Sequence, residues 1–502
     1  MKNRKLTAGL LALLAVGSVL ASCGSEAASG AENVPVSDPA EKISGEAEQT
    51  EDDGDEFSDR SKVKDGLGEY DFGGEDFIIC YTSEQMEEPY FSDGEDGTVV
   101  NDAVFARTQA VEERFHIRLG NRDTGGNWNE VAEAVRTSTA AGASAYDLAL
   151  THTFIGLTGL ISGGYLVDWN TVPAVDLKAQ WWNQNISETL TVGGKLFVEA
   201  NDYIYQRPMV IYFNKNMISD YDLDNPYDLV KGGTWTWDKL KEMAEAVSAD
   251  ANGDGKYDKS DRYGFSMTLG WQTISVIHSQ GMTITSIGED GTYNFSNYEN
   301  AKMYDIFDRF YDLLYNSKNC FYEVVYTPDQ GAVNGYTELF PNNQLLFLYS
   351  NTELLPRLRE ITLDFGILPL PKYDAAQDGY YSMADIQNLI VPSDCPDLSM
   401  TGVIAEALAV ESYKKVVPAV YNTMFANKYL RDSESYEMFN LIRQGLVYEA
   451  LWTWGEGSDL VYALPNLMAQ KSSDLSSYYE KRRKSTEKTI NKFVEKVLEL
   501  ES

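Results

Sequence analysis

Basic side chains are scarce in this sequence. Lysine and arginine total 41 against 77 aspartates and glutamates, which gives a formal net charge of −36 at pH 7. Nucleic-acid binding depends on a basic surface that neutralises phosphates, so this balance argues against a nucleic-acid partner. A net charge of this sign mainly favours solubility and carries little information about the fold.

Cysteine and histidine are also rare, with four and three copies in 502 residues. Apart from Cys23, the thiols are Cys80, Cys320 and Cys395, which are widely spaced and are expected as small buried side chains rather than a disulfide framework. The sequence contains no Gly-x-Ser-x-Gly elbow, Walker loop or His-Glu-x-x-His motif. Acidic residues are so numerous that no glycosidase pair stands out. We therefore expect a protein that is not an enzyme, with a ligand-free adhesin or scaffold as a less favoured alternative.

Long apolar runs are absent except near the N-terminus. A basic patch over residues 2–5 precedes the apolar run Leu10–Leu20, and the order Leu-Ala-Ser-Cys ends at Cys23. This arrangement is typical of a secretory signal, and the run is too short to span a bilayer. The last four residues resemble the bacterial lipobox. That resemblance implies a lipoprotein signal peptide at residues 1–22 and a lipid anchor, such as palmitate, on Cys23.

Apolar side chains are nearly missing from Gly24 to about Gly68, where Glu, Asp, Ser, Ala and Gly predominate. Such a segment cannot bury enough surface to offset its ordering entropy, so we expect a disordered acidic tether at residues 23–70. A long tether suits a protein that stands off a single membrane. This favours the extracellular face of a Gram-positive-type cell membrane over a periplasm.

Candidate strands and helices alternate from Glu75 onward. Asp76–Tyr81 and Tyr146–Leu150 are apolar strand candidates, and the apolar residues between them follow helical spacing. This βαβα order indicates a parallel doubly wound sheet. Ligands of such sheets bind outside the carboxyl ends of the strands. Thr151 and His152, which directly follow a predicted strand, are therefore candidate site residues.

Three stretches in a fixed order carry a family resemblance. Lys195–Met217 contains two short strand-like runs, Thr236–Asp238 opens a helix with Thr236 as its N-cap, and residues 365–372 read FGILPLPK. Together they resemble the extracellular solute-binding proteins of ABC importers, of the maltose-binding type. The resemblance covers about residues 75–500. It implies an α/β, two-lobe periplasmic-binding-protein-like fold in which doubly wound sheets are joined by a multi-strand hinge.

The resemblance also implies where the chain crosses between the lobes. The run MVIYFNKNM, residues 209–217, corresponds to the first crossover, and the strand at 365–372 is expected to return to the first lobe. A third crossing is expected near Tyr413–Ala419. The implied divisions are 71–213 and 363–415 for lobe 1, and 214–362 and 416–502 for lobe 2.

Residues 250–261, DANGDGKYDKSD, space oxygen-bearing side chains as calcium loops do. Gly255 occupies the sixth position, where such loops turn sharply, and the last ligand is Asp rather than the Glu of an EF-hand, as in dockerin-type loops. A metal-free turn rich in Asp and Asn is the alternative. We expect one structural calcium ion, with ligands Asp250, Asn252, Asp254, Lys256 (through its carbonyl), Asp258 and Asp261.

The candidate ligand site follows from strand ends and from family order. Carbohydrates present hydroxyl edges that need directional hydrogen bonds and apolar faces that stack on rings, so a site combines rings with amides, carboxylates and guanidinium groups. The predicted ligand-binding residues are Thr151, His152, Arg207, Trp271, Asn351, Asp385, Trp452 and Trp454. This number of rings favours an oligosaccharide.

The resemblance thus implies a lipid-anchored substrate-binding protein of an ABC transporter. Such a protein captures a small carbohydrate between its lobes by hinge closure and delivers it to the permease subunits in the membrane. We expect a monomer. An oligopeptide-binding transport lipoprotein is the alternative, and a secreted carbohydrate-active enzyme is less favoured.

The lipobox gives the first testable prediction. The variant Cys23→Ala is expected to appear in the medium or to remain unprocessed, because position 23 no longer has the thiol that would carry the lipid. Cell fractionation followed by immunoblotting measures this, with Cys395→Ala as the control that keeps its membrane association. A Cys23→Ala protein that still fractionates with membranes at mature size would contradict the lipobox.

Overall fold

Two large β-sheets organise the chain in its computed structural model, and both are built from short strands. The structure describes residues 60–85, 90–201, 207–288, 292–318, 320–324, 338–385, 387–421, 430–455 and 458–500, with the side chains of 85, 322–324 and 385 outside the description.

Four strands form the first sheet: β1 (Glu75–Tyr81), β2 (Ile117–Asp123), β3 (Leu148–His152) and β12 (Gln387–Ile390). Their order is β12-β3-β1-β2, with β1, β2 and β3 parallel and β12 antiparallel to β3. Parallel neighbours need crossover helices, as the alternating pattern of the sequence predicts. The helices of this part are α1 (Val99–Phe115), α2 (Trp128–Ala141), α3 (Leu157–Ser162) and α4 (Gln184–Leu190).

Helix α2 shows how the sequence sets these elements. The Asn127 side chain caps its first turn by accepting the backbone N–H of Asn129 at 2.9 Å. The buried face of the helix includes Val131 and Val135, one turn apart. Gly142 ends the helix with φ of +60°, a left-handed conformation that glycine adopts without steric cost.

The second sheet has the order β13-β11-β4-β9-β5-β8, and a further strand, β10, also pairs with β4. A separate antiparallel pair joins β6 to β7. The strands are β4 (Arg207–Asn214), β5 (Tyr263–Leu269), β6 (Ser286–Ile287), β7 (Tyr293–Asn294), β8 (Cys320–Val324), β9 (Leu345–Asn351), β10 (Phe365–Leu368), β11 (Ser382–Asp385) and β13 (Leu446–Val447).

Strand β4 lies inside the second sheet, and its run Met209–Phe213 is 0–2% exposed. On one edge this run pairs antiparallel with β9. On the other edge, the first residues of β4 pair with β11 and the later residues with β10. Because neighbours cover both edges, the backbone groups of this buried strand find partners along its length.

Strand β10 pairs with the strand that was predicted as the first crossover. The stretch 365–372 was expected to return to the first lobe, but residues 365–368 pair with residues 211–214 of β4 in the second sheet. The chain reaches the first sheet later, at β12. Alternating apolar residues followed by prolines specify a strand and its end. They do not specify which of two sheets the strand joins, so the return of 365–372 to the first lobe stays a prediction.

The remaining helices surround the second sheet and complete both lobes. Helix α11 (Leu398–Glu411) packs on α1 of the first lobe, whereas α12 (Ser433–Gln444) packs on β10. The chain therefore crosses between Glu411 and Ser433, a stretch that includes residues 422–429, outside the description. These helices are α5 (Lys215–Asp220), α6 (Pro226–Lys231), α7 (Trp237–Val247), α8 (Ser275–Ser279), α9 (Ala301–Tyr311), α10 (Leu355–Leu358), α11 (Leu398–Glu411), α12 (Ser433–Gln444), α13 (Ala450–Trp454), α14 (Ala463–Ala469) and α15 (Leu475–Glu499).

Helix α7 begins where the sequence predicts. The hydroxyl of Thr236 accepts the backbone N–H of Lys239 at 3.2 Å and caps the first turn. Among the described helices, none is both long enough and apolar enough to cross a membrane.

A buried carboxylate joins α11 to the segment before α4. Glu406 is fully buried and accepts the indole N–H groups of Trp181 and Trp182 at 2.9 and 2.8 Å. Burial raises the pKa of Glu406 to about 7, and the indole hydrogen bonds oppose that rise. The two tryptophans therefore serve packing and hydrogen bonding inside the fold.

A second buried carboxylate, Glu199, lies shortly before β4. It accepts the hydroxyl of Ser187 on α4 at 2.7 Å and the backbone N–H of Ala200 at 2.9 Å. Burial raises the pKa of Glu199 from 4.5 to about 8, although these hydrogen bonds lower it. Near neutral pH, the folded chain therefore favours the protonated form of this carboxyl group.

Glu199 gives a pH-dependent prediction. A carboxyl group with a raised folded-state pKa binds more protons in the folded chain, so its ionisation lowers the free energy of unfolding as pH rises from about 4.5 to about 8. Glu199→Gln is expected to reduce the loss of stability between pH 5 and pH 8, because an amide keeps the acceptor without titrating. Urea unfolding at both pH values measures this.

The control is Glu188→Gln, which changes an exposed residue on α4, next to Ser187. Its pH dependence of unfolding should match the wild type. Equal pH dependence in Glu199→Gln and the wild type would show that Glu199 does not titrate as its burial indicates.

Candidate functional site

The ends of strands from both sheets meet at one aromatic cluster, which we define as Phe154, Trp271, Trp452 and Tyr462. Phe154 follows β3 in the first sheet, whereas Trp271 follows β5 in the second. The Phe154 and Trp452 rings stack with centroids 4.6 Å apart and planes 22° apart. Trp271 lies 5.9 Å from Trp452, and Tyr462 meets Trp452 edge-on at 5.7 Å.

Polar residues from the second sheet form a second group. Arg207 begins β4 and pairs in register with Asp385 of β11. Its guanidinium Nη1 lies 3.7 Å from Oε2 of Glu353, and the Asn351 amide donates to the same oxygen at 3.3 Å. Glu353 thus connects two predicted site residues. The Arg207 side chain is 17% exposed and that of Glu353 is 35% exposed, so both groups remain reachable by a solute.

The first sheet contributes buried polar atoms at the end of β3. Gln387 pairs in register with His152, and Asn388 pairs with Thr151. Thr151 Oγ1, Gln387 Oε1 and Asn388 Oδ1 are buried and have no hydrogen-bond partner among the described residues. The same holds for the indole Nε1 of Trp452 in the aromatic cluster. Buried polar atoms without partners are costly, and a polar ligand would provide partners for them.

His152 is half-buried and has contacts inside the first lobe. Its Nδ1 accepts the backbone N–H of Phe154 at 3.1 Å, which shapes the loop that carries the Phe154 ring. Its own ring lies 6.0 Å from that of Trp128 on α2. In this structure, His152 therefore supports the position of Phe154.

Trp454 lies apart from the aromatic cluster. Its ring is 2% exposed and stacks on Phe493 of α15, with centroids 5.2 Å apart. Its indole N–H donates to the hydroxyl of Tyr293 at 3.1 Å. Since internal contacts occupy both the ring and the N–H, the structure favours a packing role for Trp454. The Asp385 side chain falls outside the description.

Sequence reasoning missed several members of this site. Phe154 was the easiest of these to find, because it lies two residues after His152, at the end of the same predicted strand. Gln387 and Asn388 interrupt an apolar strand with amides, which was a usable signal. Glu353 and Tyr462 lie in segments with no distinguishing pattern, so the contact with Arg207 and the ring contact with Trp452 come from the fold.

In the loop 250–261, aspartate carboxylates accept hydrogen bonds from backbone N–H groups of the same loop. Asp250 accepts two backbone N–H groups at 2.7 and 2.8 Å, and the fully buried Asp261 accepts two at 2.9 and 2.8 Å. Gly255 has φ of +78°, as the sharp turn requires. Within the described part of the chain, no group of three or more His, Cys, Asp or Glu residues is arranged to hold a metal ion. The calcium site therefore stays a prediction from residue spacing.

Comparison with known proteins supports the fold that the sequence predicts. Residues 122–399, more than half of the chain, match the family model of bacterial extracellular solute-binding proteins. No curated protein matches the sequence.

Several solved structures share the fold at low identity. An ABC substrate-binding protein from Listeria monocytogenes in complex with cycloalternan is 14% identical, with a TM-score of 0.52 over 84% of this chain and 98% of that one. A cyclo/maltodextrin-binding protein complexed with maltotetraose is 14% identical, with a TM-score of 0.55 over 86% and 98%. UgpB from Mycobacterium tuberculosis, in complex with glycerophosphocholine, is 12% identical, with a TM-score of 0.54 over 83% and 98%.

Chelation tests the calcium prediction. If the loop binds calcium in the folded state alone, adding EGTA should lower Tm, because an ion at about 100 times its Kd stabilises the folded chain by about 2.7 kcal/mol. Differential scanning calorimetry with calcium and with EGTA measures the effect. Asp250→Ala combined with Asp254→Ala should abolish the EGTA sensitivity. Equal Tm of the wild type in saturating calcium and in EGTA would contradict a structural calcium ion.

Proposed function

This chain belongs to the family of bacterial extracellular solute-binding proteins, and we propose that its ligand is an oligosaccharide held between the two lobes. The observation that carries this proposal is the aromatic cluster of Phe154, Trp271, Trp452 and Tyr462. Phe154 follows a strand of the first sheet, and Trp271 follows a strand of the second sheet. Their rings both contact the ring of Trp452, so the cluster lies at the ends of strands from both sheets. Ligands of doubly wound sheets bind at such strand ends.

The rings suit the apolar faces of a sugar. A pyranose presents axial C–H groups on a face about as large as an aromatic ring, and stacking removes both surfaces from water. The centroids of the Phe154 and Trp452 rings lie 4.6 Å apart, so the two rings are in direct contact. We propose that a sugar ring enters between them when the lobes open, and that the lobes then close on it.

The polar groups suit the hydroxyl edges of a sugar. Arg207 donates hydrogen bonds and does not accept them, whereas Glu353 accepts and Asn351 does both. Arg207 and Asn351 already meet at Glu353, so a hydroxyl placed there would find donors and an acceptor within one group. The partnerless polar atoms of Thr151, Gln387 and Asn388 add donor and acceptor capacity on the first-lobe side.

The relatives with known structures support this choice of ligand. Two of the proteins with the same fold hold oligosaccharides, cycloalternan and maltotetraose. A third holds glycerophosphocholine, so the fold alone does not specify the ligand. We base the choice of an oligosaccharide on the aromatic cluster of this chain and treat the relatives as support.

We further propose that the protein works at the outer face of the cell membrane. The lipobox ending at Cys23 supports a lipid anchor, and the acidic composition of residues 24–59 supports a tether between that anchor and the binding lobes. In this proposal the closed, loaded protein delivers its sugar to the permease subunits of an ABC transporter. The chain acts as a monomer and catalyses no reaction.

Titration calorimetry tests the ligand and its site together. Maltotetraose, cycloalternan and a mixture of short peptides serve as probes against the wild type. The variants Trp271→Ala and Phe154→Ala are each expected to raise the Kd for the bound glycan about tenfold, because each removes a stacking ring. Tm should remain close to that of the wild type, since Trp271 and Phe154 are only half-buried.

Tyr70→Ala is the matched control, because it removes an aromatic ring that is 39% exposed and lies outside the aromatic cluster. Its Kd should equal that of the wild type. If peptides bind and no glycan does, the ligand is a peptide and the proposal of an oligosaccharide is wrong. Unchanged glycan affinity in both Trp271→Ala and Phe154→Ala would contradict the assigned site.

A further inference from the structure

A buried hydrogen-bonded network lies directly before the helix that carries Trp452. Its centre is Glu449, whose carboxylate is 1% exposed, and its partners are His278 and Thr285. Oε2 of Glu449 accepts the backbone N–H of Ile284 at 2.8 Å, and Oε1 accepts the backbone N–H of Thr285 at 3.2 Å. The hydroxyl of Thr285 also donates to Oε1.

His278 completes the network from α8. Its Nδ1 lies 3.2 Å from the carbonyl oxygen of Ile274, which accepts hydrogen bonds and does not donate them. Nδ1 must therefore carry a proton. Nε2 lies 3.2 Å from Oε2 of Glu449, and a hydrogen bond across this contact needs one further proton, on either the imidazole or the carboxyl group. Both side chains are buried, so this contact lies inside the protein.

The network fixes the first turn of α13. Glu449 is the N-cap residue, and its Oε1 accepts the backbone N–H of Leu451 at 3.1 Å. The Thr285 hydroxyl lies 3.2 Å from the same N–H. The carbonyl of Glu449 accepts the backbone N–H of Trp452 at 3.0 Å. One buried side chain therefore connects α8, the segment 284–285 and the helix start.

Helix α13 spans five residues, Ala450–Trp454, and a helix this short has little stability of its own. Its position depends on its cap and on tertiary contacts. Trp452 lies in this helix, and its ring is the one that contacts the other three members of the aromatic cluster. A shift of the helix start would move that ring relative to Phe154, which belongs to the other lobe.

We propose that Glu449 and His278 are positioning residues that set the Trp452 ring for ligand binding. This proposal rests on the proposed function, since it concerns the affinity of the same cleft. Neither residue touches the ligand. Their effect on affinity passes through Trp452, which distinguishes them from buried residues that stabilise the fold alone.

A double-mutant cycle tests this route, with Kd for the bound glycan measured by calorimetry. Glu449→Gln is expected to raise the Kd about tenfold in the wild-type background, a size that is typical of coupling between residues in contact. In the Trp452→Ala background the same substitution should change the Kd less than about twofold, because the ring through which it acts is gone. His278→Gln should follow the same pattern.

Glu406→Gln is the matched control. Glu406 is an equally buried carboxylate that accepts two indole N–H groups, but its partners Trp181 and Trp182 lie outside the aromatic cluster. The Glu406→Gln substitution should lower Tm without changing the Kd for the bound glycan. Equal fold-changes for Glu449→Gln in both backgrounds, or a lowered Tm with an unchanged Kd, would overturn the positioning role.

A measurement without ligand separates this proposal from the proposed function. Fluorine NMR of protein labelled with 5-fluorotryptophan reports the surroundings of each indole, and Trp452→Phe identifies the Trp452 resonance. Glu449→Gln should shift or broaden that resonance, while Glu406→Gln should leave it in place. An unmoved Trp452 resonance in Glu449→Gln would overturn the proposal even if glycans bind. A shifted resonance without any glycan binding would contradict the proposed ligand and retain the positioning role.

Discussion

The pairing of β4 on both of its edges is the constraint on which this structure depends. The run Met209–Phe213 is almost completely buried, so each backbone N–H and carbonyl in it must find a partner inside the protein. Strand β9 covers one edge, and β11 and β10 share the other. This pairing fixes Arg207 at the start of the strand, beside β11, from which the chain continues to β12 in the first sheet. The boundary between the lobes is therefore a consequence of strand pairing.

The site combines two unlike sets of groups because two sheets supply it. The first sheet ends in small polar side chains and the Phe154 ring, and the second ends in Trp271 and the group around Glu353. Helix α13 places Trp452 between the two rings, and the buried pair of His278 and Glu449 holds the start of that helix. Ring faces and hydrogen-bonding groups thus meet where the lobes approach, which is what an oligosaccharide requires.

Several features were predictable because local pattern determines them. The family resemblance is confirmed by the match over residues 122–399. Strand ends made Thr151 and His152 candidates, and the crossover strand made Arg207 one; their role in ligand binding stays a prediction. The pairing of residues 365–368 with β4 was not predictable, because an alternating pattern suits either sheet. Trp454 and Trp452 are two residues apart in one sequence motif, yet one ring packs on Phe493 and the other joins the aromatic cluster. Such a difference depends on contacts between distant segments, which spacing does not encode.

The central claim is that a sugar ring inserts between the rings of Phe154 and Trp452, which contact each other in this structure. A crystal structure of the protein grown with maltotetraose or cycloalternan tests it most directly. The account predicts a pyranose face stacked within about 4 Å of the Trp452 ring, with Phe154 displaced from its present contact and hydroxyls bonded to the group of Arg207, Asn351 and Glu353. A glycan bound elsewhere, with the Phe154 and Trp452 rings still in contact, would contradict the account.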